Sequence, residues 1–279
     1  IYKTTNMGLV GRLNYDYASK YLLEASFRYD GSSKFAKGHR WGFFPSVSAG
    51  YRISEENFIK DTDALSFLTN WKIRASYGVL GDDGSSSYQF LSGYDYPGAG
   101  YVFGTEAYKG LGFRGLPNPS ITWYTSKTLN VGTDLDLFNG LFSFQIDFFW
   151  RYRDGLLGKR NQEVPGTIGA EMPEENLNQD LYKGFEVVLG HRNQIRDFRY
   201  SVSLNFALTR KMNRKLVEGD AVNSYDRWRG KYSNRYSDMG WGYGSNGQYT
   251  SMEDIWNSPD QDGKGGSTLL PGDWKYEEW

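Results

Sequence analysis

The sequence predicts an all-β protein, an antiparallel up-and-down transmembrane β-barrel of which this chain is a part. Three observations lead to that prediction. Apolar and polar residues alternate with period two in about eight segments, which is typical of strands with one apolar and one wet face. Several segments exceed the length of an average soluble strand and reach the roughly 9–11 residues that cross a bilayer. Tight turns alternate with long polar connections, as in outer-membrane barrels.

The composition excludes several classes of protein. The net charge of the 279 residues is −1, so no basic field indicates a nucleic-acid partner. There are no cysteines, which excludes a disulfide scaffold, a cysteine metal site and a thiol nucleophile. The sequence contains no run of about 18 apolar residues, so it predicts no transmembrane helix. The mean hydropathy is −0.64, and a barrel can be this polar because only alternate residues meet lipid.

The clearest alternation lies in residues 21–53, which predict two strands joined by a polar loop at 31–39. Residues 6–17 repeat the pattern, and only residues 18–20 separate them from the next strand. These segments therefore predict a tight hairpin. The apolar face of the 21–53 pair holds Tyr21, Leu23, Ala25, Phe27 and Tyr29, followed by Trp41, Phe43, Pro45, Val47, Ala49, Tyr51 and Ile53.

Five further segments continue the pattern along the chain. Asn139-Gly140 is a type I′ hairpin signal between two of them, because both residue types accept a left-handed backbone. Residues 54–70 are acidic and compatible with a short helix. The five predicted strands are residues 71–80, 121–137, 141–153, 182–191 and 198–210.

Long connections are predicted at residues 81–120, 154–181 and 211–279. Short turns at one end and long loops at the other are typical of outer-membrane barrels, whereas a soluble sandwich shows no such bias. The residues alone leave two alternatives open. The first is a soluble secreted β-sheet module that binds carbohydrate or peptide, with its apolar face against a sandwich core. The second is an outer-membrane enzyme, which would need a base and a nucleophile that converge on one face.

No catalytic or metal site is predicted. The two histidines, His39 and His191, lie in a loop and at a strand end, and no G-x-S-x-G nucleophile motif is present. Residues 260–266, DQDGKGG, resemble the start of a calcium loop. However, Lys264 stands at the fifth position and Pro271 at the twelfth, where metal ligands are required. We therefore expect a polar turn there and no cofactor.

Aromatic residues of the long connections are the candidate ligand contacts. Flat rings stack on sugars or on peptide side chains. The alternative is that these rings pack the loops against one another or against a partner, because loops of this length need small cores of their own. The candidates are Tyr94, Tyr96, Tyr101, Trp241 and Tyr243.

Six stretches carry a resemblance to a known family. The longest is GRLNYDYASKYLLEASFRYDGSSKFAKGHRWGFFPSVSAGYRISEENFI at residues 11–59. The others are WKIRASYGVLGDD at 71–83, PNPSITWYTSKTLNVGTDLDLFNGLFSFQIDFFWRYRDGLL at 117–157, LYKGFEVVLG at 181–190, GYGSNGQYTSMEDI at 242–255 and PGDWKYEEW at 271–279. In this order they resemble the barrel of the SusC/RagA-type TonB-linked outer-membrane transporters.

The resemblance implies about eight strands of a 22-stranded, plugged barrel, with the plug before Ile1 and the closing strands after Trp279. It implies uptake of oligosaccharide or peptide without an enzymatic step. The implied partners are a SusD-like surface lipoprotein, the TonB complex through the N-terminal region, and outer-membrane lipid. Residues 31–39 would lie outside the cell, and the alternating apolar face would meet lipid. The lumen would receive polar-face residues such as Glu24, Arg28 and Arg52.

Overall fold

The chain divides into two compact units, Ile1–Ser237 and Asp238–Trp279. The first unit contains all the alternating segments. The second is the final part of the long connection predicted at 211–279. The structure, a computed structural model, describes residues 3–98, 100–160, 167, 170, 172–219 and 221–277.

The strands of both units are mostly long and antiparallel. In chain order they are β1 (Asn6–Tyr17), β2 (Tyr21–Ser32), β3 (Trp41–Arg52), β4 (Leu68–Asp82), β5 (Tyr94–Asp95), β6 (Gly100–Phe103), β7 (Glu106–Lys109), β8 (Gly112–Phe113), β9 (Tyr124–Leu137), β10 (Phe142–Lys159), β11 (Glu174–Ile195), β12 (Phe198–Lys215), β13 (Arg235–Tyr236), β14 (Ser245–Gln248) and β15 (Trp274–Tyr276). One sheet has the order β1-β2-β3-β4-β9-β10-β11-β12-β13. The eight predicted strands are therefore confirmed, with β13 as a short addition at one edge.

Helices are short and lie in the connections. They are α1 (Asn57–Lys60), α2 (Ser224–Gly230) and α3 (Met252–Trp256), and α1 is the short helix compatible with the acidic 54–70 stretch. Among the residues that the structure describes, no helix has the length and apolar character needed to cross a membrane.

The apolar residues of the long strands form one continuous face. A line of directly paired residues crosses seven strands through Tyr21, Tyr51, Ile73, Thr133, Ile146, Val187 and Phe206. Because every second residue of a strand points to the same side, this register aligns the apolar positions of all these strands. Large side chains such as Leu204 and Phe206 remain exposed on this face. An apolar surface of this extent is suited to contact with lipid or protein rather than water.

The two ends of the sheet differ in their connections. One end has short turns, at residues 18–20, 138–141 and 196–197, together with the α1 connection. The long connections, at residues 33–40, 83–123, 160–173 and 216–234, lie at the other end. The predicted Asn139-Gly140 hairpin is confirmed. Its left-handed residues begin one position earlier, at Phe138 with φ 51°, and continue through both residues of the signal.

The prediction of a loop at 154–181 is wrong at both ends. β10 continues to Lys159 and β11 begins at Glu174. The alternation stops before the strands do, because the outer parts of these strands have polar residues on both faces. A register shift between Asp154 and Leu156, with Gly155 at φ 75°, also breaks the period at this point. Residues 161–166, 168–169 and 171 of the predicted loop lie outside the described residues.

The second unit is built on the pairing of β14 with β15 and on α3. Tyr249 and Ile255 are its buried apolar side chains. Lys275 forms an ion pair with Asp254 at 2.8 Å, which joins β15 to α3. The hydrogen bond from Lys275 lowers the pKa of the Asp254 carboxyl.

Candidate functional site

A small hydrophobic core covers the polar face at the end with the long connections. Phe35, Phe44 and Ile121 are almost fully buried there. The indole ring of Trp123 contacts Phe35 and Phe44, with ring centroids 5.6 and 5.4 Å apart. Its Nε1 donates a hydrogen bond to the carbonyl of Arg40 at 2.9 Å. This core therefore fixes the connection between β2 and β3 against the start of β9.

Asp83, directly after β4, joins the rim of three strands. Its carboxylate accepts a hydrogen bond from the buried Ser32 hydroxyl at 2.7 Å and one from the Asn6 amide at 3.4 Å. The Lys34 ammonium donates to the Asp83 carbonyl at 2.8 Å and lies 3.4 Å from its carboxylate. The bonds from Ser32 and Lys34 are partly shielded from water, which strengthens them. They hold the rim of β1, β2 and β4 in one arrangement.

A cavity of about 600 Å³ lies beside this core on the polar face. Its lining includes Arg28, Asp30, Asp82, Asp83 and Trp123. The Arg28 guanidinium forms an ion pair with Asp30 at 3.0 Å. The volume falls in the range of ligand pockets, and carboxylates beside an aromatic ring suit a ligand rich in hydroxyl or amide groups.

Three of the five candidate ligand contacts belong to the connection between β4 and β9. Tyr94 of β5 contacts Phe113 of β8, with ring centroids 6.2 Å apart. Tyr101 of β6 pairs in register with Tyr108 of β7. The exposed fractions of Tyr94, Tyr96 and Tyr101 are 66%, 72% and 53%. These rings are therefore mostly presented to solvent.

The other two candidates, Trp241 and Tyr243, belong to the second unit. The ring of Tyr243 lies 5.7 Å from that of Tyr276, between centroids, and most of it is exposed. Trp241 is also exposed. The five predicted residues thus fall into two groups, three on one connection and two on the second unit.

A family model described as "TonB dependent receptor-like, beta-barrel" matches residues 1–274. The chain belongs to this family. The resemblance found in the sequence is thereby confirmed, and so is the all-β barrel fold. The open nine-stranded sheet is part of the wall of a TonB-dependent receptor barrel, with an apolar outer face and a polar inner face.

Similar proteins agree with this assignment. The chain is 33% identical over 219 residues to TonB-dependent receptor P3 of Formosa agariphila, covering 78% of the chain and 21% of that receptor. It is 32% identical over 229 residues to TonB-dependent receptor SusC of Bacteroides thetaiotaomicron, covering 80% and 22%. It also resembles a solved structure of the RagAB peptide transporter, with a TM-score of 0.66 at 23% identity over 78% of this chain and 23% of that one. The chain spans about a fifth of the length of these curated relatives.

Positively and negatively charged side chains form ion pairs on the inner face of this receptor wall. Arg74 of β4 bridges Asp134 of β9 at 3.1 Å and Asp147 of β10 at 2.6 Å. Asp147 is only 7% exposed, and its Oδ1 has no hydrogen-bond partner among the described residues. Arg12 pairs with Glu24 at 2.7 Å in a more exposed position. A second cavity, of about 540 Å³, lies along this part of the wall.

His191 and the turn at residues 260–266 have structural contacts. The His191 ring lies 4.8 Å from the Phe142 ring, between centroids, and its Nε2 is 3.1 Å from the Tyr200 hydroxyl. Asp262 accepts hydrogen bonds from the Thr268 hydroxyl and from backbone amides, including that of Lys264 at 2.7 Å. This is the geometry of a polar turn. No cluster of three potential metal ligands occurs within the described ranges.

Trp123 and Asp83 are organising residues that the sequence analysis missed. Both stand next to a strand end, Trp123 directly before β9 and Asp83 directly after β4. Their position next to a strand end is the sequence feature that could have identified them, because residues at the end of a sheet can contact several connections at once. Their partners are more than 30 residues away in the chain, so alternation in a local window carries no information about them.

Proposed function

We propose that this chain is part of the wall and outer rim of an outer-membrane importer for oligosaccharide or peptide. Membership of the TonB-dependent receptor-like barrel family is the observation that carries the proposal. The exposed apolar face supports a position in lipid, and the polar face with its two cavities supports a passage for a polar cargo. The protein has no catalytic step in this proposal.

The proposed partners follow from the similar proteins. SusC is named a TonB-dependent receptor, and the RagAB structure is described as a peptide transporter. We therefore expect a SusD-like surface lipoprotein above the long connections, and energy supplied by the TonB complex through a region outside these residues. Either a peptide or an oligosaccharide suits a site of aromatic rings and carboxylates.

The proposed cargo contacts are Tyr94, Tyr96 and Tyr101 on one connection and Trp241 and Tyr243 on the second unit. Alanine substitution of Tyr101 in the intact protein removes a ring that can stack on the cargo, so affinity for the cargo should fall by about tenfold. Val102→Ala, at an exposed position next to it, is the matched control. Calorimetric titration with panels of neutral oligosaccharides and of short peptides measures both. Equal affinities of the two variants would remove Tyr101 from the site.

The orientation of the wall can be tested by cysteine labelling, because this chain has no cysteine of its own. Lys37→Cys lies in a long connection and Asp197→Cys in a short turn. A membrane-impermeant maleimide should label position 37 in intact cells and position 197 only after the outer membrane is permeabilised. The reverse labelling pattern would show that the wall has the opposite orientation in the membrane. Labelling of both in a detergent-free soluble fraction would support the secreted-module alternative.

A further inference from the structure

The end of the sheet with the short turns has a step between two neighbouring hairpins. β10 begins at Phe142, which pairs in register with His191 of β11. β11 continues to Ile195, which pairs with Phe198 of β12. Residues 192–195 of β11 therefore project beyond the turn that joins β9 to β10. They leave a notch beside that turn.

A pocket of about 550 Å³ lies in this notch. The turn between β9 and β10 contributes Phe138 and Leu141 to its lining, and the projecting hairpin contributes Arg192 and Arg199. None of the described residues that line it is Asp or Glu. The volume falls in the range of ligand pockets. Two arginines in a lining without a carboxylate favour an anionic ligand.

The structure holds both guanidinium groups through one nitrogen each. The Nε of Arg192 donates a hydrogen bond to the Gly140 carbonyl at 3.1 Å, and the Nε of Arg199 donates to the side-chain oxygen of Gln194 at 2.8 Å. The Gln194 amide nitrogen in turn donates to the Arg196 carbonyl at 2.8 Å. The terminal nitrogens of both guanidinium groups form no hydrogen bond or ion pair with any described residue. Each group is thus oriented while its terminal nitrogens stay available, and such a planar pair of donors matches a carboxylate.

The charge at this place is not compensated by nearby carboxylates. Further along the inner face, Arg74 is already paired with Asp134 and Asp147. Residues 192–199 contain three arginines and one carboxylate, Asp197. Asp197 forms no ion pair within the part of the chain that the structure describes. The tip of this hairpin therefore carries a local excess of positive charge, which attracts an acidic partner.

We propose that this pocket, the arginine step, binds side-chain carboxylates of an acidic peptide segment of a partner protein. The arginine step consists of residues 138–141, 192–194 and 199–201. Its two guanidinium groups bind two carboxylates of the segment, each through a pair of hydrogen bonds.

The rest of the lining favours a peptide over a lipid or a small anion. Asn139 and Ser201 offer amide and hydroxyl groups to a peptide backbone, and the exposed Phe138 ring offers a contact to an apolar side chain. Arg192 and Arg199 stand on the polar face of their strands, where Arg192 pairs with Ser201, and not on the apolar face proposed to meet lipid. A single small anion would use only one part of this lining.

The arginine step lies at the end of the sheet opposite the long connections. It is therefore separate from the proposed cargo contacts on the connection between β4 and β9. In the orientation proposed above, this end faces the periplasm, and the partner is a periplasmic protein. Binding of an acidic peptide is measured on purified protein and does not depend on that orientation.

The test uses the intact purified protein in detergent and a fluorescein-labelled peptide of four glutamates around one phenylalanine, with fluorescence anisotropy as the readout. Replacing Arg192 and Arg199 together by Gln should weaken binding at least about tenfold, because two charge-assisted contacts are lost. Lys37→Gln with Arg196→Gln removes the same charge outside the lining and should bind like the unmodified protein. Arg192→Lys with Arg199→Lys should give an intermediate affinity, since the charge stays and the planar donors are lost.

Other outcomes decide against the proposal. Equal affinities of the double Gln variant and its control overturn it, as does equal binding of a peptide with glutamine in place of glutamate. Displacement of the probe by millimolar acetate or phosphate would identify a small-anion site instead, and displacement only by vesicles containing phosphatidylglycerol would identify a lipid site. Absence of probe binding, with a photo-cross-link from position 193 to the same chain, would show that the protein fills the pocket itself. Cargo binding and cysteine labelling are measured separately, so a failure of the importer proposal is distinguishable from a failure of the arginine step.

Discussion

At the scale of single residues, Gly132 makes the electrostatics of the inner wall possible. It lies between Arg74 of β4 and Asp147 of β10, in register with both. A Cβ at this position would stand 2.5 Å from the Asp147 Oδ1 and 3.1 Å from the Arg74 guanidinium carbon. The missing side chain leaves the space through which Arg74 reaches across β9. An ion pair that skips a strand therefore depends on one glycine.

Removal of Arg74 should destabilise the protein strongly. Asp147 is almost buried, so Arg74→Ala removes the cation that is paired with its carboxylate and should lower the free energy of unfolding by about 3 kcal/mol. Arg12→Ala breaks the exposed Arg12–Glu24 pair and should change it by less than about 1 kcal/mol. The temperature at which the folded band is lost on SDS gels measures both. A double change of Arg74 and Asp147 to Leu should recover most of the loss, and a similar loss in all three variants would contradict this account.

Gly81 is a second position where the absence of a side chain is required. A Cβ there would lie 1.9 Å from the Phe44 ring, which is part of the buried core at the rim. Gly81→Ala must displace that ring and should cost about 1–3 kcal/mol in unfolding free energy. Gly78→Ala, on the same strand, meets only Ser46 at 3.4 Å and should be nearly neutral. Urea unfolding followed by Trp fluorescence compares them, and equal midpoints would show that the ring can move freely.

At the scale of elements, the outer part of β11 explains why a strand can continue beyond the residues in which apolar and polar side chains alternate. Asn176 donates hydrogen bonds to the carbonyls of Gly155 at 2.7 Å and Thr122 at 3.0 Å, and its Oδ1 accepts from the Thr122 amide at 2.9 Å. Polar side chains here satisfy backbone groups of two neighbouring segments. The strand is therefore stabilised by side-chain amides rather than by an apolar face.

Asn176→Ala should loosen the start of β9 without unfolding the sheet. Three hydrogen bonds are lost, and the Thr122 amide loses its acceptor. We expect hydrogen exchange at Thr122 to become at least about fivefold faster, since a hydrogen bond contributes about 1 kcal/mol or more. Asn193→Ala, in the exposed part of β11 near the short turn, should leave Thr122 unchanged. Unaltered exchange in the Asn176 variant would mean that backbone hydrogen bonds between the strands are sufficient to hold the start of β9.

The turn at residues 260–268 should respond to acid. Hydrogen bonds from Thr268 hold the pKa of the Asp262 carboxyl well below its usual range. Because the folded-state pKa is depressed, the stabilisation is complete above the ordinary pKa of about 3.9 and is lost as the pH falls toward the folded-state value. Protection of the Thr268 amide against hydrogen exchange should therefore be constant near neutral pH and decline below about pH 4. In Asp262→Ala, the Thr268 amide should show low protection at every pH. If that variant lost protection below about pH 4 to the same extent, the acid response would come from a group other than Asp262.

At the scale of the whole molecule, the register shows that the strands are staggered as in a tilted barrel. Val187 lies on the line of paired residues that begins at Tyr21, beside the first short turn. β11 nevertheless continues from Val187 to Ile195 before it turns. Each later hairpin thus extends further along the strand direction. Turns that lie at one membrane surface require such a stagger when the strands are tilted.

The assignment of the two faces can be tested with neighbouring residues of β12. Leu204 lies near the middle of the apolar run of β12, Phe198 to Leu208, and Asn205 lies next to it on the polar face. Leu204→Arg should make the free energy of folding into lipid less favourable by about 2–4 kcal/mol, because a charge enters the bilayer midplane. Asn205→Arg should be tolerated, since its side chain meets water or polar groups. Folding yields into lipid vesicles measure the difference, and equal yields would place both faces in similar surroundings.

The sequence by itself determined the class of fold, the eight strands, their apolar face and the hairpin at Asn139. Each of these follows from period-two alternation or from the backbone preference of one or two residues, and both are local properties. The family was also recognisable from the motifs alone. The candidate aromatic residues could be named, and their role as cargo contacts stays a prediction.

Only the tertiary structure decided how these parts meet. The core around Trp123, the hydrogen bonds of Asp83 and the reach of Arg74 past Gly132 all join residues from different strands or connections. Such contacts depend on the register between strands and on which side chains are missing. The alternation within one segment does not show which residues of another strand lie opposite it. Every long strand of this sheet has the same period of two, and its contacts are determined by the register with the neighbouring strands.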